Sequence, residues 1–421
     1  MTEIKIHHLT RVEGHGELTV HREKSGAARV RFSVVEAPRF FEVLLQDKDF
    51  REVTHIASRV CGICAVSHKC AALKATESAM NIPISTQTEI MRRIAFHGEV
   101  LSSHILHIYF LAGPDFMNIP ALFSLLDSEP ELVQRAVRLK ELGYALCDAV
   151  AGRHTHPVAM TAGGFSFVPE KKNLQPFADK LHSALKDLEE TVQLFKIIRL
   201  PDLSCETEYV SLKHPDHYAF YDGDLYSSEG KTVSVQTYRD HITERIEAHS
   251  NAKYARWHRP EYMVGALARF NNNFDQLSPK AKSAAAQLGL QAPCFNPFMI
   301  TTAQIVECIH CVEDSLHLVN LLLEKGIDAS AVQSAVSAAP GTGVGAVEAP
   351  RGTLFHEYAY DDKGRCLSAN LVIPTAQNLG NLEKDLQTFQ GFLADADDDI
   401  LLQQLGMLVR AYDPCISCST H

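Results

Sequence analysis

The sequence predicts an α+β chain that is mostly α: a bundle of long helices with a small β region at the N-terminus and an irregular insertion in the middle. Three observations predict it. Apolar residues recur at helical spacing in five long windows, polar–apolar alternation is concentrated in the first 50 residues, and residues 201–230 are rich in Asp, Tyr, Gly and Ser.

Taken in order, Glu17-Leu18-Thr19-Val20-His21 and Val30-Arg31-Phe32-Ser33-Val34 alternate in polarity, so residues 1–50 read as a small sheet with a Ser-Gly turn. Helical windows follow at Thr86–Leu111, Glu131–Val150, Leu174–Leu194, Thr301–Leu323 and Leu382–Leu393, which assigns 86–325 and 382–394 to the bundle. Pro201–Gly230 reads as the irregular or short-stranded insertion. No internal repeat or clear boundary divides the chain, so 1–421 is read as one domain.

With 46% hydrophobic and 22% charged residues, a chain of 421 can bury a large core. Its net charge of -11 includes no basic stripe, which excludes nucleic acid as a partner. The N-terminus has neither a basic leader nor an apolar signal core, and no stretch approaches the ~18 apolar residues of a membrane span. A cytoplasmic chain is expected. Eleven cysteines without a secretion signal favour metal binding or catalysis over disulfides.

Arg59-Val60-Cys61-Gly62-Ile63-Cys64 sets two thiols three residues apart, and Asp413-Pro414-Cys415-Ile416-Ser417-Cys418 repeats the spacing in residues 411–421, the C-terminal metal-ligand segment. Either pair reaches one metal. Four soft thiolates suit zinc, an iron–sulfur cluster, or nickel with iron. Structural zinc usually draws its pairs from one compact module, whereas roughly 350 residues intervene here.

The flanking residues carry a resemblance. RVCGICAVSH (Arg59–His68) and DPCISCSTH (Asp413–His421) are similar to the paired signatures of nickel-iron hydrogenase large subunits. RVEGH (Arg11–His15), EAPRG (Glu348–Gly352), VIPTAQN (Val372–Asn378), Gly152-Arg153, His156-Pro157 and Gly163-Gly164 complete the set in family order. The resemblance implies reversible, heterolytic cleavage of dihydrogen at a Ni-Fe centre whose iron carries carbon monoxide and cyanide. It makes Cys61 and Cys415 terminal nickel ligands and lets Cys64 and Cys418 bridge nickel and iron. His68 would sit beside a bridging thiolate, four residues after Cys64.

Arg351 would project over the metals, paired with Asp115 or Asp413, which join it among the expected catalytic residues. Pro374 and Thr375 would line the cofactor, the Thr375 hydroxyl bonding a cyanide. Glu13 resembles the family's proton-transfer carboxylate, and heterolytic cleavage needs such an exit for the proton. Glu42, His421 and the Leu371 carbonyl correspond to ligands of a magnesium ion. Because family precursors are cleaved just after this histidine, the sequence reads as the processed form.

Cys308-Ile309-His310-Cys311 imitates a metal pair, but helical periodicity explains both thiols as core. Gly341-Thr342-Gly343-Val344-Gly345 imitates a phosphate loop without its preceding strand, and reads as flexible backbone leading to Arg351. Cys70, Cys147, Cys205, Cys294 and Cys366 are scattered and form no second cluster, so electrons need cofactors on another chain. The family implies an iron–sulfur small subunit. The compact length and C-terminal ending resemble the cytoplasmic, bidirectional subgroup, which adds a nicotinamide, deazaflavin or disulfide-reductase module. Two rivals are a zinc-stapled scaffold without catalysis and the quinone-binding subunit related to respiratory complex I, which lacks the cysteine pairs.

Overall fold

A computed structural model describes residues 2–22, 28–333 and 335–421. Strands β1 (Thr2–Ile6), β2 (Gly16–Arg22) and β3 (Ala28–Val34) form an antiparallel sheet, as the alternation predicts. The expected Ser-Gly turn lies outside the described residues. Leu18, Val20, Val30, Phe32 and Val34 face inward, the period-2 signature of a half-buried sheet.

The bundle follows: α1 (Ala65–Met80), α2 (Thr86–Ile105), α3 (Pro130–Ala151) and α4 (Pro176–Ile197). Ser85 caps α2 by accepting from the Thr88 amide at 3.1 Å. The helical window continues past Ile105 as a π-helical turn to Leu111. Helices α2 and α3 touch through glycine. A Cβ on Gly98 would stand 2.6 Å from the Gly143 carbonyl oxygen, and one on Gly143 2.5 Å from that of Gly98.

The middle insertion is short-stranded: β4 (Glu208–Lys213) pairs with β5 (Asp224–Ser227) within a four-stranded sheet. Helices α5 (Ala266–Asn273) and α6 (Ile300–Lys325) return to the bundle, and α6 is buried without a break from Ile300 to Val312. Cys308 and Cys311 are therefore core residues. A third sheet, β6 (Gly341–Ala349), β7 (Gly352–Tyr360) and β8 (Cys366–Val372), packs on α1. Helices α7 (Pro374–Phe392) and α8 (Asp398–Ala411) close the chain.

Three expectations need correction. The glycine run 341–345 is the start of β6, not flexible backbone. A Cβ at Gly341, Gly343 or Gly345 would lie 2.0–2.2 Å from backbone atoms of Ala79 or Ala71 on α1, so glycine is there to let helix and sheet close. The window at Leu382–Leu393 begins earlier, at Pro374, and α8 follows it. Helix α1 and the third sheet lie outside the predicted β region and bundle, and together they carry much of the site. Among the described residues, no helix is long and apolar enough to cross a membrane.

Candidate metal centre

Cys61 and Cys64 occupy the turn that enters α1, where the Cys64 amide donates to Cys61 Sγ at 3.3 Å. Cys415 opens the last helical turn, Ile416–Ser419. The two chain ends are tied by backbone: Glu13 bridges to Cys415 in parallel register, and the Ile416 amide donates to the Glu13 carbonyl at 3.0 Å. That pairing brings the thiols together. Cys61 and Cys415 sulfurs are 3.6 Å apart, those of Cys64 and Cys418 3.5 Å, and all four lie within 4.8 Å of one another. All four are buried, and none forms a disulfide.

So many thiols cannot ionise independently. Sulfur contacts from Cys415, Cys418 and Cys64 hold the Cys61 thiol well below the usual range, while Cys415 pushes Cys64 well above it. A buried set of thiolates needs a soft cation to exist together, which is the donor chemistry of nickel, iron or zinc. The fit is good on the protein side.

Arg351 lines the cavity beside Cys64, Cys415 and Cys418 and brings a guanidinium to it. Its Nε donates to the Asp413 carbonyl (2.9 Å) and Oδ1 (3.1 Å), and Nη2 donates to Oδ1 (3.0 Å). Nη1 is buried without a partner. The other expected partner, Asp115, lies elsewhere: it accepts from Arg11 and Arg410, whose two cations account for its burial. Thr375 Oγ1 accepts from the Cys415 amide at 2.9 Å, which leaves the hydroxyl hydrogen free. His68 and Pro374 line the same cavity.

Glu13 accepts from the Ser417 amide at 3.1 Å and from the Ser417 hydroxyl. Burial and then the neighbouring Cys415 push its carboxyl up to about 8. Burial drives His68 down to about 3, so it is neutral.

The second expected cluster also assembles. His421 Nε2 is 3.5 Å from Glu42 Oε1, and the Leu371 amide, rather than the expected carbonyl, contacts that carboxylate at 2.9 Å. Burial raises Glu42, but His421, the Leu371 amide and Lys253 outweigh it and hold the carboxyl at about 2. Lys253 also reaches Glu244, which the sequence did not single out, at 3.2 Å. His421 Nε2 and Glu244 Oε1 are buried without hydrogen-bond partners. The carboxylates of Glu42 and Glu244 suit a small hard cation, for which the His421 imidazole is an unusual ligand and Lys253 the competing charge.

Two further residues escaped sequence reasoning. Arg269 on α5 donates to Glu307 (Nε 2.6 Å, Nη2 2.7 Å), to Glu348 (3.0 Å) and to the carbonyls of Ala349 and Pro350 (3.0 Å each). It fixes the backbone that presents Arg351. Glu99 caps α1 by accepting from the Val66 amide (2.5 Å) and Ser67 amide (2.9 Å). A charged residue inside an apolar run, as in Val264-Gly265-Ala266-Leu267-Ala268-Arg269-Phe270, was the available signal.

The model of the nickel-dependent hydrogenase family matches residues 39–136 and 210–421, and a HoxL-like model matches 3–37. Sulfhydrogenase 1 subunit alpha of Pyrococcus furiosus is 32% identical over 99% of this chain and 97% of its own. The beta subunit of the NAD-reducing hydrogenase HoxS of Cupriavidus necator is 27% identical over 100% and 94%. A crystal structure of an NAD+-reducing [NiFe]-hydrogenase in the H2-reduced state superposes with a TM-score of 0.91 at 26% identity, covering both chains fully.

Proposed function

Because the chain belongs to the nickel-dependent hydrogenase family, as a large subunit, we propose that it cleaves and forms dihydrogen heterolytically at a Ni-Fe centre held by Cys61, Cys64, Cys415 and Cys418. The observation that carries this is the convergence of four buried sulfurs within 4.8 Å beside the free Nη1 of Arg351. In this reading Cys61 and Cys415 would serve as terminal nickel ligands and Cys64 and Cys418 would hold nickel and iron together, the iron's remaining ligands being carbon monoxide and cyanide. Bound there, the metals supply the polarisation of dihydrogen and the sink for its electrons.

The residues do the rest. Arg351, clamped by Asp413, offers a fixed N–H over the cavity, and its charge favours the anionic side of a heterolytic split. Glu13 takes the proton from the Cys415 side, since a carboxyl raised to about 8 both accepts and releases protons near neutrality. Thr375 would offer its free hydroxyl hydrogen to a cyanide on the iron, and Pro374 closes the apolar wall. His68 stands beside a bridging thiolate. Glu42 and His421 would hold a magnesium ion, with Glu244 as an added carboxylate, and the Leu371 amide would orient the Glu42 carboxylate.

Electrons leave through an iron–sulfur small subunit. The relatives, including an NAD-reducing one, are subunits of larger hydrogenases and support such a partner, beyond which a nicotinamide, deazaflavin or disulfide-reductase module would take the electrons. A cytoplasmic location is part of this reading, and among the described residues no helix is long and apolar enough to cross a membrane.

Infrared spectroscopy with elemental analysis tests the reading. Carbon monoxide and cyanide bands with nickel and iron are expected. Zinc alone, with a featureless spectrum, would establish the stapled scaffold instead.

A further inference from the structure

His68 is the end of a buried chain of side chains that sequence motifs do not contain. His356 and Tyr358 stand two apart on β7 and so project from the same face. His68 Nδ1 is 3.0 Å from His356 Nε2, and His356 Nδ1 is 2.5 Å from the Tyr358 hydroxyl. All three side chains are at most 1% exposed. The two facing ring nitrogens, 3.0 Å apart, share one proton, so one imidazole donates and the other accepts.

Such a chain has two polarities. Either Tyr358 donates to His356 and the donors point toward His68, or every bond reverses and Tyr358 accepts. In the second case the phenol hydrogen needs an acceptor of its own. Among the described residues the Tyr358 hydroxyl has no hydrogen-bond partner besides His356 Nδ1. Across the sheet Tyr358 faces Gly343 on one side and Ala369 on the other, and His356 faces Gly345 and Leu371. The next tyrosine along β7, Tyr360, is bonded to Thr76 at 2.8 Å. A buried donor left unmade is the expensive arrangement, so the first polarity prevails.

We infer that Tyr358 and His356 are positioning residues that lock His68 in the Nε2–H tautomer, making it a hydrogen-bond donor toward the thiolate cavity. His68 Nδ1 is committed to His356, Nε2 has no partner among the described residues, and the ring lines the cavity with Cys64 and Cys418. A donor there withdraws charge from a bridging thiolate, whereas an acceptor would repel it. The role at the cavity rests on the Ni-Fe reading, but the tautomer does not.

The locked tautomer is read directly by 15N spectroscopy of the histidine-labelled protein, with the His68 and His356 signals assigned by their loss in His68→Gln and His356→Gln. Both are expected as Nε2–H imidazoles, and an Nδ1–H signal for either overturns the inference without any change at Tyr358. In the metal-loaded protein, Tyr358→Phe should shift the carbon monoxide and cyanide bands with nickel retained. His68→Gln should shift them the same way, and the double variant should add nothing. Tyr360→Phe should leave them in place. Bands in Tyr358→Phe that coincide with the parent's, or a Tyr358 effect that persists without His68, would refute it. A parent protein lacking these bands altogether would instead remove the Ni-Fe reading, while the 15N spectrum would still decide the tautomer.

Discussion

Arg269 donates from Nη2 to the carbonyl oxygen of Pro350 at 3.0 Å, one residue before the guanidinium that lines the thiolate cavity. The same side chain pairs with both Glu307 and Glu348, each fully buried. Arg269→Met strands two carboxylates in the core. Removing one partner of a buried ion pair costs roughly 3–5 kcal/mol, so the urea midpoint should fall sharply. A midpoint within experimental error of the parent's would mean that Glu307 and Glu348 find other partners.

Arg351→Lys keeps a charge but loses the planar fork that binds Asp413 through Nε and Nη2. Turnover should drop steeply while nickel and iron content is unchanged. Parent-like dihydrogen oxidation in this variant would end the catalytic assignment.

Glu13→Gln preserves shape but cannot exchange a proton. Metal content and infrared bands should be normal, whereas dihydrogen oxidation and exchange with solvent deuterons collapse. Conversion between para- and ortho-dihydrogen, which requires no proton to leave, should survive. Undiminished solvent exchange would send the proton by another route.

Cys61→Ser and Cys418→Ser should each abolish nickel retention, because each removes one of four converging sulfurs. Cys308→Ser, inside the apolar stretch of α6, should leave nickel in place and cost only stability. Nickel loss in that variant would contradict its placement in the core.

Lys69 is buried in α1 against Thr54 and His55, and burial, then Arg92, lowers its ammonium to about 7. The unfolded chain keeps that proton to about 10.4. Between those values the unfolded state binds more protons, so this group makes stability rise with pH. The thermal midpoint of the parent should therefore climb relative to Lys69→Met between pH 7 and 9. Parallel curves would show that Lys69 keeps its charge when folded.

The windows at Glu131–Val150 and Leu174–Leu194 were legible because each buries one face, and the ligand motifs because their residues are close in sequence. Helix α1 was not. Lys69, His68, Ser67, Thr76 and Glu77 are buried along with its alanines, so no polar face marks the helical period. The glycine run misled for a related reason: glycine signals freedom of backbone, but at 343 and 345 it signals the lack of a Cβ beneath a helix. Arg269 and Glu307, and likewise His68 and His356, act through partners far off in the chain, and nothing local announces such pairs.

The sulfur pairs Cys61–Cys415 and Cys64–Cys418 each span 354 positions. At a synthesis rate of ~5–20 residues per second, that separation is roughly 20–70 s of translation. Throughout that interval Cys61 and Cys64 exist as a lone dithiol, open to any soft metal or oxidant that reaches them. The selectivity of the finished centre is therefore a matter of timing as well as of coordination. Whatever occupies the first pair must leave, or the pair must stay empty and reduced, until the second pair arrives.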